Sequence, residues 1–413
     1  MGHLMVARRT SHGAVIATAL LLIGLACGLS AALASSARAD GPGQGAPWTT
    51  SLGDSYISGE AGRWAGNTNE SSSKIDALGS SAYNDNSTHT AELIAGCHRS
   101  KSAEVYIGSG VSGENLACSG AKTSTFTDSE GHFKPGLDFY NSGGHEGQAL
   151  MLQNFAATHN VKLVAVSIGG NNFNFASIVQ TCLTDWLTSP WWWQHHCSED
   201  SSVQENFTPA NVAAQRAAIK GALLNVAQAM TNAGYSSSQY SIVVQDYPSP
   251  IPNGSGFRYP ESGFTRQTVG GCGFWNADAN TANSMMLPTI DGAVFGAASD
   301  SGLTNVKTME LSGAFNGRRL CEQGVGLLEE KGLASWTQAG AVDKTEWINQ
   351  IRTVTAILPP YQIQEDLHPN YWAQLGLRNC LTQAYNGGSV HGGTCAISGT
   401  GLNSAGEPNM SLH

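Results

Sequence analysis

Four short runs of β-branched and aliphatic residues stand out along the chain: Trp48 to Leu52, Lys162 to Ile168, Ser241 to Gln245 and Val306 to Leu311. Each has the length of a buried strand and is bounded by polar or small residues. Elsewhere, apolar positions recur at helical spacing. Gly147 to Thr158 is one such stretch, and Thr208 to Ala233 is a longer, Ala-rich one in which Thr208 and Pro209 occupy the N-cap and first-turn positions. Further helices are predicted over Ala277 to Ala298, Thr345 to Leu358 and Asn370 to Tyr385. Strands alternating with helices of this length imply a parallel sheet covered on both faces, so the predicted fold class is α/β. In such a sheet the functional groups gather at the carboxyl ends of the strands. Ser55 follows the first predicted strand and Asn171 the second, which places both at that edge. Residues 180–210, containing Trp191-Trp192-Trp193, and residues 249–275 are expected to be loop-rich excursions from the core.

Residues 1–39 follow a different pattern. Arg8 and Arg9 precede an apolar run from Ala14 to Leu33, and Ala37-Arg38-Ala39 offers small residues at cleavage positions, as in a secretion signal. The run is interrupted by Gly24, Cys27, Gly28 and Ser30, which disfavours a permanent membrane span, and Gly24 disfavours a lipid anchor on Cys27. Residues 40–47 are expected to be a flexible lead-in, 48–398 one globular domain, and 399–413 a C-terminal tail. With 41% hydrophobic and 13% charged residues, the chain has the composition to bury a core. Loss of the signal removes Arg8, Arg9 and Arg38 and no acid, which leaves 18 basic and 31 acidic residues, formally −13. Such a surface excludes binding to nucleic-acid phosphates and suits a soluble protein outside the cell, expected to be a monomer.

Eight cysteines remain in the exported part: Cys97, Cys118, Cys182, Cys197, Cys272, Cys321, Cys380 and Cys395. An even number in an exported chain points to disulfides. Pairing neighbours in order (97–118, 182–197, 272–321, 380–395) closes local loops and is favoured, although sequence leaves other connectivities open. No two-residue cysteine spacing and no His-Glu-x-x-His helix suggests a metal site. His195-His196-Cys197 has no ligand partner at suitable spacing, so no metal is expected there. Trp191 to Trp193 could line an acyl or glycan pocket or form a loop cluster pinned by a 182–197 bridge.

Four separated segments carry candidate chemistry. In Gly53-Asp54-Ser55 a serine sits on a strand-to-helix turn, where its hydroxyl can project beside free backbone N–H groups, although the same tripeptide also marks ordinary turns. Glu365-Asp366-Leu367-His368-Pro369-Asn370 offers a histidine beside two carboxylates at a helix start, as a serine nucleophile needs; a simple helix cap would use the same residues. Asn115 to Ala121, around Gly120, and Ser167 to Asn172 are loops of small and amide residues able to bring N–H donors close to a substrate oxygen.

Taken together and in this order, these blocks resemble those of the SGNH (GDSL) hydrolase superfamily, particularly its secreted actinobacterial branch. Gly53-Asp54-Ser55, Gly120, Gly169-Gly170-Asn171 and His368-Pro369-Asn370 match the four blocks, and Cys97-His98-Arg99-Ser100 also resembles that branch. The resemblance implies a three-layer α/β/α sandwich with a flavodoxin-like parallel sheet and hydrolysis of a lipid, small acyl or acetylated-glycan ester without metal or cofactor. It makes Ser55 the nucleophile, His368 the base, and the Ser55 and Gly120 N–H groups with the Asn171 side chain the oxyanion donors. Two positions depart from the pattern. Glu365 stands where the family has Asp and is the first choice for orienting His368, with Asp366 or a backbone carbonyl in reserve; Asn172 stands where the family has Asp.

Overall fold

Five parallel strands form the edge on which the site is built: β1 (Pro47–Gly53), β2 (Ser112–Asn115), β3 (Asn160–Ser167), β4 (Ser241–Gln245) and β5 (Val306–Glu310). They lie in the spatial order 2-1-3-4-5, the flavodoxin-like arrangement of a doubly wound sheet. β6 (Gly393–Leu402) adds in parallel to β5, and β7 (Pro408–Leu412) finishes that side antiparallel to β6. The structure is a computed structural model and describes residues 40–352 and 365–413. The predicted export signal lies outside the described residues.

The period of two along the strands explains the layering. Leu163, Ala165 and Val243 join one hydrophobic core, while Val164, Val166, Ile242 and Val244 join the other, so both faces of the sheet are covered. One face is packed by α2 (Gln148–Ala156), α4 (Pro209–Asn232) and α6 (Leu287–Asp300); the other by α7 (Tyr371–Tyr385). The short α1 (Ser55–Ser58), α3 (Phe175–Thr188) and α5 (Asn276–Thr281) complete the set used below. Thr208 caps α4 by accepting from Asn211 N, with Pro209 in its first turn. Asn370 caps α7 by accepting from Trp372 and Ala373 N.

Several elements differ from the sequence pattern. The helix expected over 277–298 is interrupted by a π turn at Ala282–Met286. Pro288 has no N–H to give the preceding turn, and such wide turns commonly accommodate that loss. Residues 345–352 of the expected 345–358 helix are not helical, because their backbone pairs elsewhere: Trp347 N with Arg318 O and Ile351 N with Gly271 O. The remainder of that expected helix lies outside the described residues. The polar edge strand β2 has no hydrophobic alternation to reveal it. Residues expected as a tail after 398 belong to β6 and β7; their Gly- and polar-rich sequence is held by sheet pairing and by the Cys380–Cys395 bridge to α7. The four disulfides are 97–118, 182–197, 272–321 and 380–395, the neighbour pairing. Among the described residues, no helix is long and apolar enough to cross a membrane.

Candidate active site

Ser55 is presented by a turn that only glycine permits. Gly53 ends β1 with φ 138°, and a Cβ there would lie 1.8 Å from the Ser167 carbonyl oxygen on β3. Gln148, fully buried, clamps this residue from the far side. Its Oε1 accepts from Gly53 N at 2.7 Å and its Nε2 donates to Gly53 O at 2.9 Å. Asp54 then caps α1, accepting from Tyr56 N at 3.1 Å, so the Ser55 side chain emerges at the carboxyl end of the sheet. Burial pushes the Asp54 carboxyl up to about 7, against the hydrogen bonds from Tyr247 and Tyr56.

His368 reaches this turn from 313 positions away in the chain, with its Nε2 2.7 Å from Ser55 Oγ. Its Nδ1 lies 2.9 Å from the backbone carbonyl of Asp366. A carbonyl can only accept, so Nδ1 carries a proton, and in the neutral ring Nε2 presents its lone pair to the serine hydroxyl. The loop is held rigidly: Leu367 is buried in the left-handed region at φ 62°, Leu367 N donates to Asn349 O, and Tyr56 Oη donates to Leu367 O at 3.2 Å. Such local strain is characteristic of functional turns.

Glu365, expected as the orienting acid, has its carboxylate elsewhere. It accepts from Trp64 Nε1 at 2.8 Å and from Tyr83 Oη at 2.5 Å, which anchors the histidine loop to the segment after α1. Burial raises its carboxyl, with Glu60 adding to the effect. Glu365→Gln should therefore leave kcat nearly unchanged, whereas loss of a directly orienting acid costs about 10⁴-fold. Steady-state kinetics on that isosteric variant separate the two roles.

The predicted oxyanion donors converge on the same place. Ser55, Gly120, Asn171, Asp366 and His368 line one open cleft of about 310 Å³, together with Ser119, Lys134 and Phe175. Gly120 has φ 78°, a left-handed conformation that turns its peptide at the cleft wall. Asn171 Nδ2 donates to Ala121 O at 3.1 Å, joining the asparagine loop to the glycine loop and fixing the amide. Asn172, where the family pattern has Asp, bridges to Thr123 and Gln215 through its side chain and so fastens the same two loops. Trp191 to Trp193 are 55%, 72% and 81% exposed and are not among the residues of the cleft.

Sequence reasoning missed the supports. Tyr247, two residues beyond β4, donates to Asp54 Oδ2 and accepts from Gly170 N at 2.9 Å, so one hydroxyl joins the Ser55 turn to the asparagine loop. Its distance from the blocks in sequence gives no signal. Behind the cleft, the fully buried Glu60 accepts from His98 Nδ1 at 2.6 Å. Burial works against both charges, but their mutual attraction outweighs it: Glu60 falls below the usual carboxylate range and His98 rises from 6.5 to about 9. A raised imidazole pKa contributes stability that is complete below 6.5 and lost as pH rises through 9. Urea unfolding should accordingly show stability falling from pH 6.5 to 9, and His98→Gln should flatten that slope.

Comparison with known proteins gives structural likenesses only. No family model and no curated protein sequence matches the chain. Among solved structures, an extracellular lipase from Streptomyces rimosus aligns over 80% of this chain and 95% of its own, at 20% identity and a TM-score of 0.39. A phospholipase A1 from Streptomyces albidoflavus NA297 aligns over the same shares at 18% identity and a TM-score of 0.37. A family two carbohydrate esterase from Clostridium thermocellum aligns over 83% of this chain and 63% of its own, at 12% identity and a TM-score of 0.35.

Proposed function

We propose that this chain is an exported serine ester hydrolase of the SGNH type, acting on esters with an apolar acyl chain. The observation that carries the proposal is the 2.7 Å contact of Ser55 Oγ with His368 Nε2 at the mouth of a cleft that also holds Gly120 and Asn171. A serine hydroxyl is a weak nucleophile until a base takes its proton, and here the base already accepts from it in the required tautomer. Ser55 Oγ attacks the ester carbonyl carbon as its proton passes to His368 Nε2. The carbonyl oxygen becomes an oxyanion facing the N–H groups of Ser55 and Gly120 and the Asn171 amide. The imidazolium then gives the proton to the departing alcohol oxygen, and water repeats the sequence on the acyl-enzyme. Export is supported by the pattern of residues 1–39 and by the four disulfides.

The acyl preference rests on an apolar chamber of about 80 Å³ beside the cleft. Its walls include Ile178, Val179, Phe207, Ile251, Phe274 and Met286, and it shares Phe175 with both the cleft and the small cavity against Ser55 and Asn171. Each acyl methylene buried there gains about 0.8 kcal/mol, or roughly fourfold in kcat/KM. A p-nitrophenyl ester series should thus rise in kcat/KM from acetyl through butyryl until the chamber is full, and Ile178→Phe should shift the optimum to shorter chains. A flat or acetyl-selective series, unaffected by Ile178→Phe, would assign the site to acetyl esters instead.

A further inference from the structure

The excursion closed by the Cys182–Cys197 disulfide brings together side chains that no sequence spacing connects. Asp185 near the end of α3, His195 and Asp200 offer ligand atoms that all lie within 4.8 Å of one another. His195 Nδ1 is 3.0 Å from Asp185 Oδ1, and its Nε2 is 3.3 Å from Asp200 Oδ1. Asp278, from the separate helix α5, meets the neighbouring residues His196 and Ser198 and also lines the apolar chamber. Its Oδ1 accepts from Ser198 N at 3.0 Å, and its Oδ2 lies 3.9 Å from His196 Nδ1.

This group is short of positive charge. Asp185 and Asp278 are only 7% and 2% exposed, and each has one carboxylate oxygen, Oδ2, without a hydrogen-bond partner among the described residues. His196 Nδ1 is buried there without a hydrogen-bond partner as well. Among the described residues, no lysine or arginine forms an ion pair with Asp185, Asp200 or Asp278. Buried carboxylates persist when they are paired or when they coordinate a metal. The unpartnered Oδ2 of Asp185 is the sign of a ligand, since it belongs to the three-residue group and sits on a residue only 7% exposed.

We propose that Asp185, His195 and Asp200 bind one divalent cation of the zinc or manganese class. Mixed imidazole and carboxylate donors suit these ions, whereas calcium takes oxygen ligands. The His195 side chain is 58% exposed, so its ring has room to turn one nitrogen toward an ion instead of bridging the two aspartates. Asp185 shares α3 with Phe175, Ile178 and Val179, so a bound ion ties the chamber wall to the loop carrying Asp200. The site is independent of the ester chemistry at Ser55.

The test is zinc titration of the full exported protein after dialysis against a chelator, read by calorimetry and by Tm, with calcium as the comparison. One equivalent of zinc with a rise in Tm is expected, and weaker calcium binding. His195→Ala, at an exposed side chain that does not endanger folding, and Asp185→Asn should each lower zinc affinity about tenfold or more, while Ser55→Ala binds as the parent does. Equal zinc affinity in His195→Ala and parent, no zinc-dependent Tm shift in the parent, or tighter binding of calcium than zinc would overturn the assignment.

Discussion

Replacing Ser55 or His368 by alanine should lower kcat about 10⁴-fold or more, and the double variant should be no slower than the worse of the two. In the proposed mechanism the two groups act as a unit. Without His368 the Ser55 hydroxyl has no acceptor for its proton; without Ser55 the imidazole has no nucleophile to activate. The structure supplies the geometry for this coupling, with Nε2 2.7 Å from Oγ and Nδ1 held 2.9 Å from the Asp366 carbonyl. Because a backbone carbonyl cannot be removed by mutation of Asp366, Asp366→Ala should be far milder than His368→Ala. Single-turnover and steady-state measurements on one butyryl ester would separate the variants. Near-additive losses in the double variant would mean that the two residues do not cooperate in one step.

The second large effect belongs to Asn171. Its amide has two N–H donors, and the bond to Ala121 O at 3.1 Å fixes the plane of the group. A donor fixed before reaction stabilises the oxyanion without reorganising in the transition state. Loss of one such donor typically costs about 10²–10³-fold in kcat. Asn171→Ala should therefore lower kcat by that factor with little change in KM, since the ground-state carbonyl gains less from the donor than the oxyanion does. Asn171→Asp should be worse, because a carboxylate would face the developing negative charge. A loss confined to KM in Asn171→Ala would place this side chain in ground-state binding instead.

The sheet was readable where strands are buried on both faces. Runs such as Lys162 to Ile168 are apolar because side chains at successive positions enter two different cores, and that pattern survives without any tertiary context. The polar edge strand β2 and the Gly-rich β6 and β7 have no such signature, since pairing and a disulfide hold them in place. At the site, Ser55, Gly120, Asn171 and His368 were named as candidates by the resemblance of four ordered blocks to the SGNH pattern, and the structure brings all four to one cleft. The partner of His368 Nδ1 could not be chosen from Glu365, Asp366 or a carbonyl, because that choice depends on the left-handed turn at Leu367. Tyr247, Gln148 and Glu60 were invisible for a related reason: a buried tyrosine, glutamine or glutamate shows its purpose only once the peptide groups and side chains it satisfies are near it. The Asp185, His195, Asp200 group was hidden in the same way, since spacing along the chain gave His195 no ligand partner.

Covalent trapping tests the central claim most directly: that one hydroxyl, activated by one imidazole, is the nucleophile. The protein would be treated with an alkyl p-nitrophenyl phosphonate and measured by intact mass and peptide mapping. One phosphonyl group per chain on the peptide containing Ser55, formed much more slowly in His368→Ala and absent in Ser55→Ala, is the expected result. An unmodified Ser55 in protein that still hydrolyses esters, or an adduct on another residue that abolishes that activity, would contradict it.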